Sequence, residues 1–113
     1  MKENLIGILG AGKSGVACSK LALKFGYKVI LSDIFPNKKI DLAKHKNLII
    51  ETGKHSKKLL NCDFIIISPG ISPNIKVVQN AIAKNIPIIG EIEFASWFSN
   101  ADVLAITGSN GKS

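Results

Sequence analysis

Two glycine-bearing stretches carry the residue types that hold phosphate. Gly10, Gly12 and Gly15, within GAGKSG at 10–15, follow an apolar run at 2–9. G-x-G-x-x-G between a strand and a helix makes an anion cradle. Its first glycine turns the chain, its second lets a pyrophosphate approach the main chain, and its third lets helix and strand pack closely. The helix that follows aims free N–H groups and the positive end of its dipole at the anion. Lys13 and Ser14 lie inside this loop, and Asp33 supplies the acid that the motif expects at the end of the next apolar run. The second stretch is GSNGKS at 108–113, after the apolar run 101–107. Glycines followed by Lys112 and Ser113 resemble a nucleotide phosphate loop, where amides surround the phosphates, the lysine reaches the β and γ oxygens and the serine hydroxyl holds Mg²⁺. Ile106 stands where a Walker loop has its first glycine.

These residues need an alternating β/α frame to position them, and the pattern predicts one. Strands are expected at 2–9, 27–32, 47–51, 63–67, 86–89 and 101–107. They are nearly continuous apolar runs, as in parallel sheets covered on both faces. A first helix is expected over 14–25, with Cys18, Leu21, Ala22 and Phe25 inward at i, i+3, i+4, i+7 and Gly26 as its stop. Residues 34–46 read as loop, and 56–60 as a short helix or turn. Ser72 and Pro73 read as N-cap and first residue of a helix reaching Lys84, with Ile75, Val78 and Ile82 inward and Asn85 as a left-handed stop. A last helix is expected over 91–98, its Glu91 and Glu93 suiting the N-terminal dipole. The fold class is α/β: a Rossmann-like open parallel sheet of about five strands flanked by helices, followed by a first strand of a further domain. The expected division is a domain at 1–98, then a linker and the start of that next domain at 99–113. The first and fourth strands should be neighbours at the crevice where the winding reverses, with Ser68 and Gly70 of SPGI at 68–71 facing the first loop.

Composition narrows the function. A chain of 113 residues with 46% hydrophobic and 20% charged residues is globular. Its apolar runs fall far short of the ~20 residues a membrane helix needs. MKENLIGILGAG lacks the layout of a signal peptide, so a cytoplasmic location is expected. The net charge of +7 comes from lysines alone, dispersed except for the pairs 38–39 and 57–58. With no arginine fork and no interleaved aromatics, a solvated surface is favoured over a nucleic-acid site. Cys18 and Cys62 have no metal or redox spacing, and His45 and His55 lie in weakly patterned, lysine-rich segments. Trp97 and Phe98 read as packing near the joint to the next domain.

GAGKSG at 10–15, SPGI at 68–71, GEIE at 90–93 and ITGSNGKS at 106–113 together resemble the N-terminal part of a Mur ligase, most closely the branch that adds D-glutamate. The loop T-G-x-N-G-K-[ST] is a hallmark of that family and accounts for the departure at Ile106. The resemblance implies a Rossmann-like domain that binds the UDP part of UDP-N-acetylmuramoyl-L-alanine. Its diphosphate would lie over the loop with Gly10, Gly12, Lys13, Ser14 and Gly15, and its uracil between that loop and Gly70, with Ser68 nearby and Asp33 on the ring edge. Ile34 and Phe35 depart from the polar residues familiar there. The resemblance further implies ATP and Mg²⁺ as cofactors of a full-length, monomeric enzyme of peptidoglycan synthesis. ATP would bind at Gly108, Ser109, Asn110, Gly111, Lys112 and Ser113, with Lys112 catalytic and Ser113 on the metal. The substrate carboxylate would be phosphorylated and the acyl phosphate attacked by the amine of D-glutamate. The 113-residue chain is expected to bind UDP without ligating. GAGKSG with Asp33 also fits a NAD-binding domain, which gives 108–113 no role. A basic nucleic-acid module explains only the charge.

Overall fold

The computed structural model describes residues 4–98. The elements are β1 (Leu5–Leu9), α1 (Lys13–Lys24), β2 (Lys28–Asp33), β3 (Leu48–Thr52), a 3-10 turn (Lys57–Asn61), β4 (Phe64–Ile67), α2 (Lys76–Ala83), β5 (Ile88–Gly90) and α3 (Glu91–Ala95). All neighbouring strands are parallel, in the order β3-β2-β1-β4-β5. The chain winds outward from β1 to β3, then returns to place β4 on the other side of β1. The winding therefore reverses between β1 and β4, the pair expected from the sequence.

Strand alternation divides the core in two. Ile6, Ile8, Val29, Leu31, Ile66 and Ile89 face one side, where Cys18, Leu21 and Ala22 of α1 and Phe94 of α3 cover them. Leu9, Ile30 and Ile65 face the other, against Leu59 of the 3-10 turn and Val78 and Ala81 of α2. The inner strands β1, β2 and β4 thus bury both faces, which is why their sequences are almost uninterruptedly apolar, whereas β3 at the sheet edge leaves Ile49 and Ile50 exposed.

Four expectations are corrected. Helix α2 does not start at Ser72 and Pro73: Ile75 is its N-cap, with extended ψ of 154°. Ser72 instead closes a separate turn, its Oγ accepting from Asn74 N at 3.1 Å and its carbonyl from Ile75 N at 3.4 Å. Nor is Ile82 inward: the helix buries Val78 and Ala81 and leaves Ile82 49% exposed. Phe25 is not on the inward stripe either; α1 ends at Lys24, and Phe25 at its C-cap is 48% exposed against the Phe98 ring, 4.6 Å between centroids. The last helix stops at Ala95. Trp97 and Phe98 pack back onto this domain, with Trp97 5.4 Å from both Phe64 and Phe94 and Phe98 5.1 Å from Phe94. The helix stops hold: Gly26 and Asn85 have φ of 90° and 63°. No helix of the described residues is long and apolar enough to cross a membrane. The expected strand at 101–107 and the loop at 108–113 lie outside the described residues.

Candidate functional site

The first loop is built from β1 outward. Gly10 turns the chain at φ of 97°, in a region that favours glycine, and its N–H donates to the Ser32 carbonyl at 2.8 Å. Gly15, buried in the first turn of α1, lies directly over Gly10: a Cβ there would overlap the Gly10 carbonyl oxygen and stand 3.0 Å from its carbon. The helix N-terminus is therefore held on the strand end. Gly12 is the N-cap, with nothing within 4 Å of a would-be Cβ. No side chain caps this helix and no acid lies in its first turn. Its first amides and positive dipole end are thus left to an anion. Gly12 and the exposed Lys13 open on a cleft of about 690 Å³ that Lys20, Lys38 and Lys39 also line.

Asp33, only 5% exposed, ties this loop to the end of β2. One carboxylate oxygen accepts from Ala11 N at 2.8 Å and the other from Phe35 N at 2.9 Å. The strand-end acid fixes the backbone on either side of it, a role that spacing alone does not reveal.

Across the β1–β4 boundary, the 68–71 loop meets the first. A Cβ on Gly10 would lie 3.2 Å from Ser68 Oγ and 3.6 Å from Ile71. Ser68 Oγ donates to Glu91 Oε2 at 2.7 Å. Glu91 is buried, 5% exposed, and this bond with Ser68 accompanies its dipole role at the start of α3; Glu93 is exposed. Gly70 has open space around it and borders a second cleft of about 660 Å³, on the α2 side of the sheet. The exposed Ile34 and Phe35, with Leu60, Ile71, Ile75 and Val77, make this cleft apolar. Gly10, Gly12, Lys13, Ser14, Gly15, Asp33, Ser68 and Gly70 thus gather at the carboxyl ends of β1, β2 and β4. Gly108, Ser109, Asn110, Gly111, Lys112 and Ser113 lie outside the described residues.

One cluster is not visible in the sequence pattern. Ser32 Oγ lies 2.6 Å from Glu51 Oε2 and 2.7 Å from His55 Nδ1. Glu51 also accepts from Ser56 N at 2.8 Å and from Ser56 Oγ at 2.6 Å. Burial pushes Glu51 up, but the hydrogen bonds from Ser32 and Ser56 outweigh it and hold the carboxyl below its ordinary value. Burial pushes His55 below the ordinary histidine value, against the pull of the Glu51 and Asp33 charges. His55 lines the second cleft. The available signal is Glu51-x-x-x-His55-Ser56 running out of the end of β3, paired to Ser32 only through the β2–β3 register.

Both cysteines are core residues. Burial first, then the Glu91 charge, pushes the Cys18 thiol up to about 12. Burial, then Asp63 and Glu51, does the same for Cys62, also to about 12.

Residues 4–90 match the family model of the Mur ligase MurD-like N-terminal domain. The chain is 43% identical over 107 residues to the UDP-N-acetylmuramoylalanine--D-glutamate ligase of Elusimicrobium minutum, covering 93% of this chain and 24% of the relative. It is 43% identical over 108 residues to the ligase of the same name from Christiangramia forsetii, again covering 93% and 24%. The chain therefore spans about a quarter of the length of these relatives. Among solved structures, lactate dehydrogenase from Eimeria maxima, with NADH and oxamate, superposes with a TM-score of 0.56 at 25% identity, covering 94% of this chain and 41% of the other. That likeness is one of Rossmann-like fold. A family match over most of the described residues, on a loop of this geometry, establishes that the chain belongs to the Mur ligases, as a MurD-like N-terminal domain.

Proposed function

We propose that this chain is the UDP-substrate-binding part of an ATP-dependent ligase that adds D-glutamate to UDP-N-acetylmuramoyl-L-alanine in peptidoglycan synthesis. The observation that carries the proposal is the uncapped N-terminus of α1, held against Gly10 and facing outward at Gly12 where the winding reverses. A diphosphate satisfies its free amides, and Lys13 adds a cation beside them. The base passes over Gly70, where no side chain blocks a flat ring, toward the apolar cleft behind Ile34 and Phe35.

The loop at 108–113 has the donor set that holds nucleotide phosphates: glycine amides, the Lys112 ammonium and the Ser113 hydroxyl, the last a hard oxygen ligand suited to Mg²⁺. ATP bound there supplies the phosphoryl group that activates the substrate carboxylate, and Lys112 would stabilise the charge on it. Calorimetric titration of the 113-residue chain with UDP, UDP-N-acetylmuramoyl-L-alanine, NAD and a short oligonucleotide tests the reading. Saturable binding of the two uridine compounds alone is the expected result. Binding of NAD without UDP would overturn it.

A further inference from the structure

Resting on the UDP reading, we propose that the lysine-walled cleft beside α1 is a capture surface for the phosphates of the substrate. Lys20, Lys38 and Lys39 draw the anion toward the free amides at Gly12 and set how fast it arrives, without holding it once bound.

The lysines are dispersed in the sequence, but the fold gathers five of them at one cleft of about 690 Å³. Lys13, Lys20 and Lys24 recur at i, i+7 and i+11, which puts them on one stripe of α1. Lys38 and Lys39 form the facing wall, carried there by the segment after β2, whose Ile40 and Leu42 pack into the same half of the core as α1. Asp41 is the one acid among the described residues that line the cleft, so five ammonium groups face a single carboxylate.

Gathered like charges repel one another, and nothing in the fold offsets this. Lys13, Lys20, Lys38 and Lys39 are exposed, and none forms an ion pair among the described residues. The arrangement favours an incoming anion instead, because a cleft lined by one sign of charge focuses the field and raises the local concentration of the opposite sign. Gly12, the uncapped N-terminal residue of α1, opens on this same cleft, so the field leads to the amides that the diphosphate satisfies. Lys20 stands about 10 Å along the helix axis from Lys13. That is one Debye length at roughly 0.1 M salt, close enough to act through the field. Lysine also suits attraction better than grip: its ammonium is a hydrated point charge on a flexible stem, without the rigid fork that fixes a phosphate in place.

The test is stopped-flow mixing of a fluorescent UDP, the N-methylanthraniloyl derivative, with three forms of the 113-residue chain. These are the wild type, a cleft variant carrying Lys20→Gln, Lys38→Gln and Lys39→Gln, and a control carrying Lys44→Gln, Lys46→Gln and Lys84→Gln. The control loses the same net charge from exposed positions ahead of β3 and β5, at the end of the sheet away from the glycine loop. At about 10 mM salt, where the Debye length is ~30 Å, the cleft variant should associate about tenfold more slowly than the wild type and the control within about twofold of it. Dissociation rates should agree among all three, and the association rates should converge near 1 M salt. A cleft variant that associates as fast as the control, or one weakened through faster dissociation, overturns the proposal while UDP binding itself stands. Absence of UDP binding in every form at every salt concentration would instead remove the domain reading beneath it.

Discussion

Gly15→Ala separates the two things the glycine loop does. The new methyl meets backbone: it overlaps the Gly10 carbonyl oxygen and lies 3.0 Å from its carbon. Comfortable contact between heavy atoms is ~3.3–4.0 Å, and the overlapped oxygen sets the shift, so α1 must back away from the end of β1 by on the order of 1 Å. Overpacking costs ~1–3 kcal/mol, and the upper end applies because neither partner is a side chain that can swing aside. Alanine returns ~1 kcal/mol of helix propensity. The net loss is about 2 kcal/mol, which for a domain of this size lowers Tm on the order of 10 °C. On the proposed function the same displacement moves the Gly12, Lys13 and Ser14 amides away from a bound diphosphate, so UDP affinity should fall by about tenfold or more. Gly12→Ala is the matched control: φ is −79° and nothing lies within 4 Å of its Cβ, so Tm should move much less. On the proposed function its methyl stands where a diphosphate would approach, so UDP binding should weaken. Differential scanning calorimetry and UDP titration on both variants check this. A Gly15→Ala chain that melts with the wild type and binds UDP equally well would refute the close-approach reasoning.

Two further outcomes follow from Asp33 and from the Glu51–His55 cluster. Asp33→Asn leaves one side-chain oxygen to serve both Ala11 N and Phe35 N, so one buried donor loses its partner; urea denaturation should show a loss of about 1–3 kcal/mol. In acid, both Glu51 and His55 should destabilise the fold, because each has a folded-state value below its ordinary one and the unfolded chain binds the proton more readily. Stability is full above the unfolded values. It should begin to fall below about 6.5 as His55 protonates and again below about 4.5 as Glu51 does, and Glu51→Gln should flatten the second fall in urea melts taken across that range.

Much of the fold and of the phosphate loop is legible in the sequence, for identifiable reasons. An ordinary turn needs one glycine, whereas glycines at 10, 12 and 15 after an apolar run meet the three separate demands of a strand-to-helix cradle. The winding order follows from parallel strands joined by short crossovers. The start of α2 is less legible because Ser72-Pro73 begins a turn as readily as a helix, and its inward face is misjudged because Ile82 is the more apolar neighbour while the small Ala81, at i+3 from Val78, is the one buried. Phe25 falls on the apolar stripe by spacing, but periodicity does not say where a helix ends. Asp33 is legible as important, yet its hydrogen bonds to Ala11 and Phe35 are not, since they depend on how the loop closes. The Ser32, Glu51 and His55 cluster is invisible because strand register brings together residues some twenty positions apart.

The last two residues of β2 serve opposite sides of the sheet. Asp33 reaches the glycine loop, while Ser32 carries Glu51 and His55 beside the apolar cleft. A strand cannot gain or lose one residue without exchanging its faces. Single insertions or deletions within 28–33 should therefore break the Asp33 contact with the glycine loop and the Ser32 contacts with Glu51 and His55 together. Length changes in this strand are therefore tolerated only where its parity is kept.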